Sequence, residues 1–288
     1  MARLFVPLAA VLLSIGCSDS PGMVGDQIPN SPLDPGVDAA MSDGSSMADG
    51  GTPVDASPTT GCGVPATPGF TCYDVQFEGR TRNWCMNVPA SYNPSRPYSI
   101  AIGLHGCGGQ ATNVHRHRAP MEAYGDADFL FAYPQSMDTA GACWVAEDLP
   151  FIKYVIATIS STYCVNKDRV FVHGMSSGGS MSSNVVAASG AVKAFASTSA
   201  GGYPQRPLPA WYYGGTTDSV YSIITSSRDV QRLANGCSTA TTPIPNTPCV
   251  KYQGCKQALT YCEDSRGHVW PTEDWAEAGV IDFFRAVP

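Results

Sequence analysis

Past its first seventeen residues the chain has no apolar run long enough to cross a membrane, which excludes an internal spanning helix. It shows no internal repeat, so solenoid and propeller architectures are excluded. It has no C-x-x-C pair, and only His268 lies near the C-terminal cysteines, so a zinc site has little to build on. Histidine is scarce, five in 288 residues. Between Ser18 and Gly61 there is no aromatic residue and no Lys, Arg or Glu, only seven aspartates among Ser, Gly and Pro. Such a composition cannot bury enough apolar surface to offset chain entropy, so this stretch is expected to be a disordered tether. The chain carries a net charge of −7. The linker aspartates, set against Arg3, account for all but about one of those charges. A near-neutral remainder gives no electrostatic ground for binding nucleic acid or an anionic membrane.

What is present begins with an export signal. Arg3 supplies the positive charge, and Leu4–Ile15 is an apolar core of 12 residues, too short for a comfortable span. Gly16-Cys17 resembles a bacterial lipoprotein cleavage site, although Ser14 stands where that pattern usually has Leu. The expectation is a lipid on Cys17 and an outer-membrane or cell-surface lipoprotein, touching the membrane only through that lipid. Ordinary secretion, with Cys17 discarded, is the alternative. Residues 62–288 then form one domain of 227 residues, long enough for a large core and short for two; it is read as a monomer. Without Cys17, ten of the 11 cysteines remain, an even number that in an exported protein reads as five disulfides. Cys62 and Cys72 are read as closing a small N-terminal loop. Cys237, Cys249, Cys255 and Cys262 could pair in three ways.

The hydrophobic pattern is α/β. Tyr73–Phe77 and Trp84–Val88 read as an antiparallel ribbon, and Tyr98–Leu104 and Asp128–Tyr133 as strands buried on both faces. Leu149–Tyr163 has helical spacing. Arg169–His173, Val192–Ser197 and Ala210–Tyr213 read as strands, Gly179–Ala188 and Ile223–Ala234 as helices. Val250–Gln253 and Ala258–Cys262 are expected strands. Thr272–Val287 is a closing helix with Thr272 as its N-cap. Alternating strands and helices imply a mostly parallel sheet covered by helices on both faces, with chemistry in the loops at the strands' carboxyl ends.

One stretch organises the rest. Val170-Phe171-Val172 runs into Gly174-Met175-Ser176-Ser177-Gly178, a G-x-S-x-G between a strand and a helix. A serine on so sharp a turn has a strained backbone and an exposed Oγ, with small neighbours to avoid clashes. A serine hydroxyl is a poor nucleophile until a base takes its proton. In strand-turn-helix hydrolases the partners follow in the order acid, then histidine. Of His105, His115, His117, His173 and His268, only His268 follows Ser176, so it is the candidate base. The acid must lie between them: Asp218, Asp229, Glu263 or Asp264. Asp218 follows a core strand and the turn Gly214-Gly215-Thr216-Thr217, so it is chosen, with Asp264 second.

The oxyanion hole needs backbone N–H groups. One is expected from Ser177, the residue after the nucleophile, and the other from Cys107 in His105-Gly106-Cys107-Gly108-Gly109. His105 is expected to shape that loop through hydrogen bonds. His115 and His117 are read as solvated surface residues, without a third metal ligand in sight.

The motifs LHGCGG, YCVNKDRVFVHGMSSGG, GGTTD and GHVWP occur in order over roughly residues 81–288. Together they resemble the feruloyl esterase / polyhydroxybutyrate depolymerase-like branch of the α/β-hydrolases. The resemblance implies an α/β-hydrolase core and a secreted serine esterase with no cofactor and no metal. It also implies Ser176, Asp218 and His268 as the triad. It further implies a Cys107–Cys143 bridge beside Trp144, stiffening the oxyanion loop. The many C-terminal cysteines lean toward the feruloyl esterase side.

The expected function is carboxylic-ester hydrolysis through an acyl-enzyme. Polysaccharide-linked feruloyl or related esters are the first substrate class, and hydroxybutyrate polyesters the alternative. A serine peptidase is disfavoured for want of a second domain. A non-catalytic glycan-binding surface lipoprotein is the alternative of another kind. Trp144 and Trp270 are expected to wall the site, since indole suits a planar phenolic group or a sugar ring.

Overall fold

The computed structural model of the chain describes residues 59–137, 143–204 and 206–288. The expected export signal, Cys17 with its expected lipid, and nearly all of the expected linker lie outside the described residues. Packing reaches back to Thr59, three residues before the expected start of the domain. Thr59 is buried, donates its hydroxyl to the Tyr163 carbonyl at 2.7 Å, and accepts from the Val165 N–H.

The strands are β1 (Gly69–Phe77), β2 (Arg80–Val88), β3 (Tyr98–Leu104), β4 (Phe129–Pro134), β5 (Val165–Met175), β6 (Val192–Thr198), β7 (Ala210–Gly215), β8 (Thr241–Pro243), β9 (Cys249–Tyr252) and β10 (Leu259–Asp264). They form one sheet in the order β1-β2-β4-β3-β5-β6-β7-β10-β9-β8. The centre, β4 through β10, is parallel, and an antiparallel ribbon flanks it at each edge. The helices are α1 (Ala111–His117), α2 (Ala119–Gly125), α3 (Leu149–Thr162), α4 (Ser177–Ala188), α5 (Tyr221–Ala234) and α6 (Asp274–Arg285).

Period-two alternation explains why the central strands read as unbroken apolar runs. Along β3, Ile100, Ile102 and Leu104 join a core completed by Phe151 and Ile152 of α3, Met181 of α4 and Ile224 of α5. Ala101 points the other way, into a core completed by Val114, Met121 and the α6 residues Val280, Ile281 and Phe284. Every residue of β3 is therefore buried, as a strand covered on both faces requires. This is an α/β-hydrolase fold, as expected.

Some details differ from what the sequence predicts, the short strand β8 among them. Helices α1 and α2, of seven residues each, were not foreseen, being too short to show a helical period. Helix α6 begins at Asp274 with Glu273 as N-cap, and Thr272 stays outside. Cys62 pairs with Cys164 and not with Cys72. Cys72 sits directly opposite Cys85 in the β1–β2 register and bonds to it. The C-terminal four pair as Cys237–Cys255 and Cys249–Cys262, the latter again a directly opposed cross-strand pair. Cys107 pairs with Cys143. Five disulfides among the described residues fit an exported protein in an oxidising compartment.

Candidate active site

β5 delivers Met175 to the turn, and α4 leaves it at Ser177. Ser176 between them has φ 56°, the left-handed region that L side chains avoid. Its N–H donates to the Thr198 carbonyl at 2.9 Å, and its carbonyl accepts from the Ser180 N–H. The motif's glycines are required by close approach. A Cβ on Gly174 would stand 2.4 Å from the Gly178 carbonyl oxygen, and one on Gly178 would stand 2.2 Å from that of Leu104.

β7 and β10 are parallel neighbours, so the loops leaving them lie side by side. Thr216 and Thr217 donate their backbone N–H groups to the Asp264 and Arg266 carbonyls. A Cβ on Gly215 would meet the Arg266 carbonyl at 2.0 Å, so the two loops are pressed together. This contact brings Asp218 to His268. The Asp218 carboxylate is buried and accepts from His268 Nδ1 at 2.9 and 3.1 Å and from the Val220 N–H at 3.0 Å. The His268 side chain keeps 38 % of its surface exposed.

The other acids are engaged elsewhere. Asp264 accepts from Tyr213, the Arg266 N–H and the Arg266 guanidinium. Burial opposes its charge, but the Arg266 hydrogen bonds outweigh it and hold the carboxyl below its ordinary range. Glu263 accepts from the Tyr221 and Tyr261 hydroxyls, and Asp229 pairs with Arg228.

Ser176, Ser177, His268, Cys107 and Trp144 line one cavity of about 440 Å³, with Val220 and Ile223 also in its lining. The Cys107–Cys143 bridge sits in its wall. Trp144 is almost fully buried. Its indole N–H donates to the His105 carbonyl at 2.8 Å, and its backbone N–H donates to Ser177 Oγ at 2.7 Å. His105 bonds through Nδ1 to the Gly106 carbonyl, while Nε2 accepts from the Ser136 N–H. Accepting there requires the neutral ring, and burial lowers its pKa accordingly. His105 thus shapes its loop, as read from the sequence. A larger cavity of about 740 Å³ lies against β9, β10 and α6 and contains none of these groups.

Two expectations are corrected. Trp270 does not line the cavity with Ser176. Its ring lies beneath the Arg118 guanidinium, 4.2 Å from Cζ, and packs on the core beside α6. His115 is not a free surface residue: its ring stacks on Phe70, and Nδ1 lies 2.7 Å from the buried Glu122 carboxylate. His117 is exposed as expected.

The sequence reading missed Arg118. It is almost fully buried, pairs with the buried Glu277 at 2.7 Å and donates to the Pro271 carbonyl at 3.0 Å. Beside it His173 is buried within β5. Burial, with the Arg118 charge adding to it, pushes its pKa down to about 3. Nothing local in the sequence marks Arg118, because its partners are more than a hundred residues away.

No family model matches the chain. The chain is similar to feruloyl esterase D of Neurospora crassa, 24% identical over 227 residues, covering 70% of this chain and 78% of the relative. It is 29% identical over 240 residues to feruloyl esterase C of Emericella nidulans, covering 75% and 86%. Among solved structures it resembles an acetyl xylan esterase from Aspergillus awamori, with TM-score 0.59, 16% identity and coverage of 75% and 99%. It also resembles a feruloyl esterase module from Clostridium thermocellum complexed with sinapinate, with TM-score 0.55, 12% identity and coverage of 76% and 88%. The structural likenesses share the α/β-hydrolase fold, and the sequence likeness is to feruloyl esterases.

Proposed function

We propose that the chain is an exported serine esterase that hydrolyses hydroxycinnamoyl and related esters on plant polysaccharide. The observation that carries this is the meeting of three chain-distant groups. Ser176 stands on a strained elbow, His268 opens onto the same cavity, and the buried Asp218 accepts from His268 Nδ1.

The chemistry follows from that order. Asp218 accepts the Nδ1–H, which leaves the Nε2 lone pair free to take the Ser176 proton. Ser176 Oγ then attacks the ester carbonyl. The Cys107 and Ser177 N–H groups stabilise the oxyanion of the tetrahedral intermediate. Collapse breaks the bond to the leaving alcohol, which receives the proton from His268. Water, deprotonated by His268, attacks the acyl-enzyme and releases the acid, restoring Ser176. The substrate class is supported by the feruloyl esterase relatives and by the indole of Trp144 in the cavity wall.

Ser176→Ala should abolish hydrolysis of methyl ferulate while the protein folds normally, since a small side chain still fits the elbow. Substantial turnover by a clean preparation would end the reading. Rapid cleavage of hydroxybutyrate oligomers without activity on ferulate would move the substrate to polyesters and leave the nucleophile standing. Anchoring through Cys17 belongs to the same proposal. The full chain should label with radioactive palmitate and Cys17→Ser should not.

A further inference from the structure

His268 sits on an irregular loop between β10 and α6, so something other than secondary structure must hold it. Upstream, Thr217 donates its N–H to the Arg266 carbonyl and its hydroxyl to that of Ser265, both at 3.1 Å. Immediately downstream, Ser199 Oγ donates to the Val269 carbonyl at 2.8 Å. Ser199 follows Thr198, the last residue of β6, whose carbonyl accepts the Ser176 N–H. One dipeptide therefore holds the nucleophile with its first residue and the loop of the base with its second.

Ser199 is fully buried and lines the cavity. Its φ is 48°, in the left-handed region where a Cβ is disfavoured and glycine is the default. Its backbone N–H donates to the Tyr213 carbonyl, a bond that every residue but proline can make. What serine adds over glycine is the hydroxyl, and the hydroxyl goes to the loop of His268. Backbone strain retained at such a place points to a role for the side chain that requires it.

We infer that Ser199 is a positioning residue for the base. Its hydroxyl fixes the Val269–Trp270 peptide and thereby the approach of the His268 imidazole to Ser176. This rests on the reading of Ser176 and His268 as nucleophile and base. A strained serine held only for packing would be replaceable by glycine without cost to the chemical step. A serine held for its hydroxyl would not.

The test compares Ser199→Gly and Ser199→Ala in the full chain, with His268→Ala as control. Melting temperature is measured for each, and kcat and KM on methyl ferulate. Both Ser199 variants should lose about tenfold or more in kcat with KM within about twofold, because misplacement of a catalytic group acts on the transition state. Ser199→Gly should nevertheless melt at or above Ser199→Ala, since it relieves the backbone. Equal kcat losses at unequal stability would separate positioning from packing. If His268→Ala is inactive and Ser199→Gly keeps wild-type kcat within about twofold, the positioning role is overturned and the base reading stands. If His268→Ala retains activity, both fall.

Discussion

The two walls of the cavity are built by different means. On the side proposed to hold the oxyanion, the loop carrying Cys107 is fixed covalently by the Cys107–Cys143 disulfide and clamped by Trp144, which reaches both the His105 carbonyl and Ser177 Oγ. On the side of the proposed base, no disulfide among the described residues falls in the loop of His268. Its loop hangs on hydrogen bonds from Thr217, Ser199 and Arg118 to carbonyls on either side of the imidazole. The difference fits the two tasks. Oxyanion donors must be aimed before charge develops and should not reorganise. A base must accept and return a proton, which calls for an oriented ring that keeps contact with solvent. The oxyanion wall should therefore be vulnerable to reductant and the base wall to changes in charge.

The largest effect should come from the base wall. Asp218→Asn should lower kcat on the order of 10⁴-fold, about 5.5 kcal/mol of barrier, because the amide favours the wrong imidazole tautomer. Asp264→Asn should cost far less, since Asp264 serves Arg266. A nearly wild-type Asp218→Asn with an inactive Asp264→Asn would reverse the assignment of the acid.

Next is the oxyanion wall. Replacing both Cys107 and Cys143 by Ser should lower kcat by about 10²-fold, the scale of losing one oxyanion donor. Thiol titration of the wild type should find no free thiol among the ten cysteines of the domain, and graded reduction should track activity with the opening of this bridge. Full activity of the double variant would mean that Trp144 alone holds the loop.

Acid should act beneath the base wall. His173 is buried neutral, with its pKa lowered from 6.5 to about 3. Between those values the unfolded chain binds the proton and the folded protein does not. Stability therefore rises with pH across that window and is lost as pH falls below 6.5, by about 1.4 kcal/mol per unit. Denaturant melts of His173→Leu should show that loss reduced by about 2 kcal/mol between pH 7 and pH 5. An unchanged acid limb would place the sensitivity elsewhere.

The smallest effect separates the covalent part of the oxyanion wall from its hydrogen bonds. Trp144→Phe keeps an aromatic body but leaves the His105 carbonyl without the indole donor. A loss of about 1–2 kcal/mol in stability and a several-fold loss in kcat are expected. Equal losses on methyl ferulate and on nitrophenyl acetate would locate the defect in the loop. A loss confined to ferulate would mark Trp144 as a substrate contact.

Much of this architecture was legible in the sequence because its signals are local. Unbroken apolar runs such as Tyr98–Leu104 mark strands covered on both faces. The glycines at 174 and 178 mark a turn with no room for a Cβ. The order of residues after Ser176 left one histidine to consider, and the turn after β7 singled out Asp218, which the fold brings to His268. Short helices such as Ala111–His117 escaped because seven residues with polar neighbours carry too little periodicity to register.

Tertiary structure alone decided the rest, because those features are pairings between segments far apart in the chain. Cys62 pairs with Cys164, and the β1–β2 register sets Cys72 opposite Cys85. Trp270 turned from the cavity to lie under Arg118, a residue 152 positions earlier. Ser199 has a glycine's backbone conformation and donates its hydroxyl to the Val269 carbonyl. Sequence fixes which local shapes are cheap. Which costly shape is retained, and for which distant partner, is settled only when the parallel strands set their carboxyl-end loops side by side.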